Sequence, residues 1–230
     1  NGLNSAHPAG PSTSIPSRLV IPRNVVGIAM EYVRNCTTGN LLSGPYGGDM
    51  SRIAIVGGHG QIARFLIPLL AEAGHEPVAL VRNADYAPEL ERLGADVGIL
   101  DIERDDVDAF AAAFAGADAV VFAAGGGPDG NIERKQTVDL DGSLKSISGA
   151  EGAGIRRFVQ ISAIGVDEPV TADAGDVWRA YVEAKRDADV ALRESRLDWT
   201  IIRPGGLTDD AASGSVRLAE KVDRAQIPRA

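Results

Sequence analysis

The stretch Ile53-Ala54-Ile55-Val56-Gly57-Gly58-His59-Gly60-Gln61-Ile62-Ala63 constrains this chain more than any other. Its first four residues are apolar and mostly β-branched, as in a buried strand. A glycine turn follows. The spacing of Ile62, Phe65, Leu66, Leu69, Leu70 and Ala73 then reads as one face of a helix. A strand that ends in glycine and enters a helix builds an anion site mostly from backbone. Gly57 lets the chain turn sharply, Gly60 lets a phosphate approach the main chain, and Ala63 lets helix and strand pack closely. The helix N-terminus adds free N–H groups and a partial positive charge. The residues expected to hold a dinucleotide pyrophosphate are Gly57, Gly58, His59, Gly60, Gln61 and Ile62. The spacing is Gly-x-x-Gly-x-x-Ala rather than Gly-x-Gly-x-x-Gly. A tight turn in some other α/β protein is the plainer reading of the same glycines.

From Met50 onward the pattern alternates strand and helix. Strands are expected over Arg52–Val56, Pro77–Val81, Asp96–Ile99, Ala119–Ala123, Arg157–Ile161 and Trp199–Arg203. Helices are expected over Gln61–Ala73, Ala87–Leu93, Val107–Ala115, Arg134–Gly152 and Val177–Ser195. Gly74, Gly94, Gly116 and Gly154 each fall just past a helix, where glycine is favoured. Short apolar strands alternating with helices imply an α/β fold with a doubly wound parallel sheet. Ligands of such sheets bind beyond the carboxyl ends of the strands, so the residues there carry the functional reading.

Composition narrows the partners. The net charge of −9 argues against nucleic acid, and no apolar run approaches the ~20 residues of a membrane span. The single Cys36 excludes an internal disulfide framework and fits a reducing, cytoplasmic compartment. No metal site is expected. A small-molecule substrate is, and the sequence leaves monomer and homodimer open. The first 49 residues are rich in Gly, Pro, Ser and Asn, with a short apolar patch from Val25 to Val33. Residues 1–49 are expected to be a poorly ordered or non-native extension. Residues 50–230 are expected to form the folded domain, cut short at its C-terminal end.

Each strand end carries a candidate. Arg82 follows the second strand, where an NAD-specific site carries Asp or Glu on the ribose hydroxyls. A guanidinium instead suits a 2′-phosphate and favours NADP, with NAD the alternative. A solvated Arg at a strand end is the plainer reading. His59 could lie near that phosphate or merely be tolerated in the loop. Asp101, after the third strand, could receive the adenine amino group or cap a turn. Ala123, Ala124 and Gly125, after the fourth, would let the cofactor lie against the sheet, unless they form only a flexible loop. Ser162, after the fifth, could hold a substrate carbonyl. Tyr181 and Lys185 are neighbours on one helix face. An ammonium there would lower the phenol's pKa for proton exchange and could hold the nicotinamide ribose. A structural Tyr beside a solvated Lys is the alternative. Pro204, with Gly205 and Gly206, ends the sixth strand where the chain could cross the nicotinamide edge.

These pieces occur in order and together resemble the atypical branch of the short-chain dehydrogenase/reductases, the NAD(P)H-binding and epimerase-like proteins. Glu133-Arg134-Lys135-Gln136-Thr137-Val138-Asp139 and Leu197-Asp198-Trp199-Thr200-Ile201-Ile202-Arg203-Pro204-Gly205 are especially similar. The resemblance covers Ser51 to about Leu218. It implies a Rossmann-type fold, bound NAD(P), Tyr181 as acid/base, Lys185 as its partner and Ser162 as orienter. Two positions depart from the usual pattern: Ala63 replaces a third glycine, and Val56 stands where many relatives carry Thr. Three functions follow: a hydride-transferring oxidoreductase or epimerase-like enzyme acting on a small carbonyl or alcohol, a non-catalytic NADP(H) redox sensor, or an NADPH-dependent flavin or quinone reductase.

Overall fold

A computed structural model of the chain describes residues 50–212, 219 and 222–229. The expectations for residues 1–49, including the patch from Val25 to Val33 and Cys36, lie outside the described residues. Six parallel strands form one sheet: β1 (Arg52–Val56), β2 (Glu76–Val81), β3 (Asp96–Ile99), β4 (Ala119–Phe122), β5 (Arg157–Ile161) and β6 (Asp198–Ile202). Their order is β3-β2-β1-β4-β5-β6. The chain therefore winds outward from β1 in one direction, then returns and winds outward from β4 in the other. This is the doubly wound, Rossmann-type order, with its switch point between β1 and β4.

Side chains alternate across the sheet because the strand period is two. Ile53 and Ile55 of β1 face one layer, built with Leu66, Ile67 and Leu70 of α1 (Gln61–Glu72) and Leu90 of α2 (Ala87–Arg92). Ala54 and Val56 face the other. There Phe110 of α3 (Val107–Ala113), Ile147 of α4 (Asp141–Gly152) and Leu192 of α5 (Asp176–Glu194) close the core with Phe122 and Phe158. Both faces are covered, so β1 is apolar beyond Arg52 at its start, β4 is apolar throughout, and every residue of β4 is buried. Gly74, Gly94, Gly116 and Gly154 all take positive φ just beyond helices or helical turns, as their placement predicts.

Register fixes what stands at the carboxyl edge. Gly98, Leu80, Val56, Phe122, Gln160 and Ile201 align in one row across the sheet. The segments after these residues therefore share one rim. Two of the differences from expectation bear on the site. β6 starts at Asp198 and ends at Ile202, because Arg203 leaves the strand to bind carboxylates of neighbouring elements. The helix expected over Arg134–Gly152 begins earlier, with a turn at Ile132–Arg134. It then widens into a π-helical stretch over Lys135–Leu140 before α4. That wide stretch buries Lys135, Val138 and Asp139, and such stretches recur at functional sites. A separate parallel pair, β7 (Gly206–Thr208) and β8 (Gln226–Pro228), follows β6.

Candidate functional site

The glycine loop sits at the switch point. Gly57 takes φ 80°, and a Cβ there would lie 2.8 Å from the Cα of Ala124. A Cβ on Gly58 would lie 2.7 Å from the Cα and Cβ of Ala79. The loop is thus pressed between β2 and the segment after β4, with no room for side chains at Gly57 and Gly58. Gly58 N donates to Leu80 O at 3.0 Å, and Gly60 N donates to Gly57 O at 2.8 Å. Gly60 is the N-cap of α1 and offers no side-chain acceptor; the first turn carries no acidic residue. The α1 amides from Gln61 to Ala63 therefore face the rim without a cap, a setting that attracts an anion.

Beyond β2, Arg82 projects into solvent, its side chain 59% exposed, with Nη1 3.7 Å from Glu103 Oε2. Two expected partners on this side have other engagements. The His59 ring stacks on Tyr86 with centroids 3.7 Å apart, and its Nε2 lies 3.2 Å from Glu89 Oε2. Arg64 Nη1 donates to the second oxygen of Glu89 at 3.0 Å. These two contacts hold the Glu89 carboxyl below its ordinary range, Arg64 contributing more than His59. His59 thus ties the loop to α2. Asp101 Oδ1 accepts from the amides of Glu103 at 3.0 Å and Arg104 at 3.3 Å. Here the turn-cap reading wins over the adenine reading for that oxygen, because the amides it serves lie on its own loop.

On the other side of the switch point, charges are buried. Lys185, only 4% exposed, places Nζ 3.1 Å from Asp139 Oδ1, 3.2 Å from Ile161 O and 3.5 Å from Ala124 O. Asp139, 1% exposed, accepts from Gly126 N at 2.9 Å through its other oxygen. Arg134 and Lys135 donate to the carbonyls of Gly126 and Gly127. The glycine run after β4 is therefore a held loop rather than a loose one. Ala123 N still bonds to Val56 O at 3.0 Å, and Ala124 is buried while Gly125 lies exposed above Asp139. Pro204 is buried, and its carbonyl accepts from Ile164 N at 2.9 Å.

The expected activation of Tyr181 by Lys185 does not match this geometry. The Lys185 ammonium is held by Asp139 and two carbonyls. Burial, reinforced by the negative charges of Asp139 and Asp189, pushes the Tyr181 phenol up to about 12. The sign is opposite to the expected lowering because desolvation and carboxylates both favour the neutral phenol. Ser162 also differs from expectation. Its hydroxyl is 3% exposed and donates to Asp189 Oδ2 at 2.9 Å, so its proton is committed away from any substrate carbonyl.

Asp189 is the centre that the sequence reading missed. It is fully buried, and it accepts from Gln160 Nε2 at 2.7 Å, from Ser162 and from Arg203 Nε at 2.9 Å. Gln160 in turn accepts from Ser143 Oγ at 2.6 Å. Arg203 bridges on to Asp167, whose carboxyl it holds below the ordinary range. Tyr181, Lys185 and Asp189 stand at i, i+4 and i+8 of α5, a pattern that flags the carboxylate. The polar Gln160 between the apolar Val159 and Ile161 of β5 is a second signal. Asp139 lies at the end of the Glu133–Asp139 segment but carries no local mark of burial.

The uncapped amides, the side-chain-free cradle and the held glycine loop fit a dinucleotide lying along the rim. A family model described as NAD(P)H-binding matches residues 57–230. A Saccharomyces cerevisiae protein, UPF0659 protein YMR090W, is 38% identical over 181 residues, covering 75% of this chain and 77% of that one. The "Uncharacterized sugar epimerase YhfK" of Bacillus subtilis is 35% identical over 179 residues, covering 77% and 82%. Among solved structures, a Bacillus halodurans protein assigned to the NAD-dependent epimerase/dehydratases superposes with TM-score 0.69 at 40% identity, covering 78% of this chain and 82% of that one. Among the described residues no helix is long and apolar enough to cross a membrane.

Proposed function

Because this chain belongs to the NAD(P)H-binding family, we propose that it is an NADP-preferring oxidoreductase or epimerase-like enzyme of the atypical short-chain dehydrogenase/reductase class. The observation that carries the reading is the position of Ala124. Gly57 of the cradle packs against it, and Lys185 of α5 reaches its carbonyl at 3.5 Å. Cradle and Tyr-Lys face therefore meet at one residue on the carboxyl rim. The bound nicotinamide would supply hydride to a small carbonyl compound or accept it from an alcohol.

The chain's own groups divide the remaining work. Gly57, Gly58, Gly60, Gln61 and Ile62 receive the pyrophosphate, with His59 bracing the loop against α2. Arg82 receives the 2′-phosphate, and Asp101 shapes the turn beneath the adenine. Ala123, Ala124 and Gly125 leave the rim low for the ribose, and Pro204 fixes the chain on the far side. Lys185, oriented by Asp139, faces the same ribose. Tyr181 is a neutral phenol well past pH 7, so its ready role is to donate a proton to a carbonyl oxygen. Ser162 is then a support for Asp189 rather than the donor to that oxygen.

A second reading is favoured by one observation: Lys185 lies against Asp139, while burial and two carboxylates push the Tyr181 phenol up to about 12. An NADPH-dependent flavin or quinone reductase would not need Tyr181. Replacing Tyr181 by Phe separates the readings in a screen of carbonyl, flavin and quinone substrates with NADPH. For the first, kcat falls by about 10²–10⁴-fold while cofactor affinity stays. Unchanged turnover supports the second reading. A wild-type protein that binds NADPH and turns over nothing in the screen supports a non-catalytic redox sensor instead.

A further inference from the structure

We propose that Glu103 is a built-in competitor for Arg82, and that its charge limits how strongly the protein prefers NADPH over NADH. The inference rests on the reading of Arg82 as the 2′-phosphate residue. Glu103 lies in the loop between β3 and α3, and that loop is fixed from several sides. Asp101 Oδ1 caps its amides, and Asp101 N donates to Asp105 Oδ2 at 2.7 Å. From α4, Lys145 Nζ donates to the carbonyls of Ile102 and Asp105. The carboxylate itself is aimed. Oε1 accepts from Thr137 Oγ1 at 2.8 Å, which leaves Oε2 to face two guanidiniums. Arg82 Nη1 lies 3.7 Å from it and Arg134 Nε 3.8 Å.

Among the described residues, Glu103 is the carboxylate paired with Arg82. A 2′-phosphate needs the same planar fork and carries more negative charge. To engage the guanidinium, the phosphate must therefore draw Arg82 away from Glu103. Release is inexpensive because Oε2 keeps Arg134 and Oε1 keeps Thr137. NADH has no phosphate at that position and does not call on Arg82. Glu103 thus acts on one cofactor and not on the other, which makes it a specificity residue. Exposed pairs of this length are worth little, so the effect is modest.

The test measures NADPH and NADH dissociation constants calorimetrically on the full chain for wild type, Glu103→Gln, Arg82→Ala and the double variant. Gln keeps an acceptor for Thr137 and puts an uncharged amide NH2 in place of the oxygen that faces the two guanidiniums. The expected result is a rise of about two- to five-fold in the ratio of NADPH to NADH affinity in Glu103→Gln, absent when Arg82 is already Ala. An unchanged ratio, or the same rise without Arg82, overturns the competitor role while leaving the phosphate reading intact. If Arg82→Ala alone binds NADPH as tightly as wild type, the phosphate assignment itself fails, and the competitor role with it.

Discussion

The two halves of the carboxyl rim solve the problem of holding a charged ligand in opposite ways. The β1–β2 half uses backbone. Its cradle is shaped by missing side chains, and the polar side chains around it, Arg82, His59, Arg64 and Glu89, are part-exposed. The β4–β6 half uses buried charge. Asp139, Lys185 and Asp189 are each at most 4% exposed, and every one is held by several partners. Backbone amides that no side chain covers stay hydrated until a ligand replaces the water, so they carry no standing burial cost. Buried carboxylates are costly unless each oxygen is satisfied. The first half should therefore tolerate changes of charge and resist added bulk, while the second should tolerate neither lost partners nor lost charge.

The harshest challenge to that contrast is Asp189→Ala. It leaves Gln160, Ser162 and Arg203 without their common acceptor, and breaking a buried ionic pair costs about 3–5 kcal/mol. Chemical denaturation should register a loss of that size. A loss below about 1 kcal/mol would mean the network is no more than a surface pair in effect. Next comes bulk in the cradle. Gly58→Ala places a Cβ 2.7 Å from Ala79, and overpacking of this kind costs about 1–3 kcal/mol. Fluorescence titration should show NADPH affinity falling with it. Wild-type affinity in a stable Gly58→Ala protein would show that the cradle has slack.

The smallest expected change is one of pH. With its phenol pushed up to about 12, Tyr181 stays protonated across the usual assay range. In the reductive direction kcat/KM, which reports the free enzyme, should show no alkaline decline from this residue below about pH 10. A decline centred near pH 7 to 8 and abolished in Tyr181→Phe would mean that Lys185 lowers the phenol after all. For stability the sign is separate. A phenol whose folded value is raised binds its proton more tightly when folded, so the protein should lose stability as pH rises from 10 towards 12.

Legibility followed the same divide. Each of the six sheet strands was found within a residue at either end, because buried parallel strands are written as short β-branched runs. The glycines past the helices were equally plain. The widened turn over Lys135–Leu140 was not, since its sequence is compatible with an ordinary helix and only Asp139's place beneath Gly126 distinguishes it. The surroundings of Ser162 and Tyr181 were not legible either. The Ser162 hydroxyl donates to Asp189, and burial, reinforced by Asp139 and Asp189, raises the phenol that Lys185 was expected to lower.

The sequence by itself determined the strand–turn–helix order and the glycine cradle, along with membership of the NAD(P)H-binding family. Those properties are local or periodic, and backbone geometry carries them. Only the tertiary structure decided which charge faces which: Lys185 with Asp139, Arg203 with Asp189, Arg82 with Glu103. Electrostatic pairing depends on distance through space and on exclusion from water. Neither is written in the spacing of residues that meet only after the sheet has wound from both sides of β1 and β4.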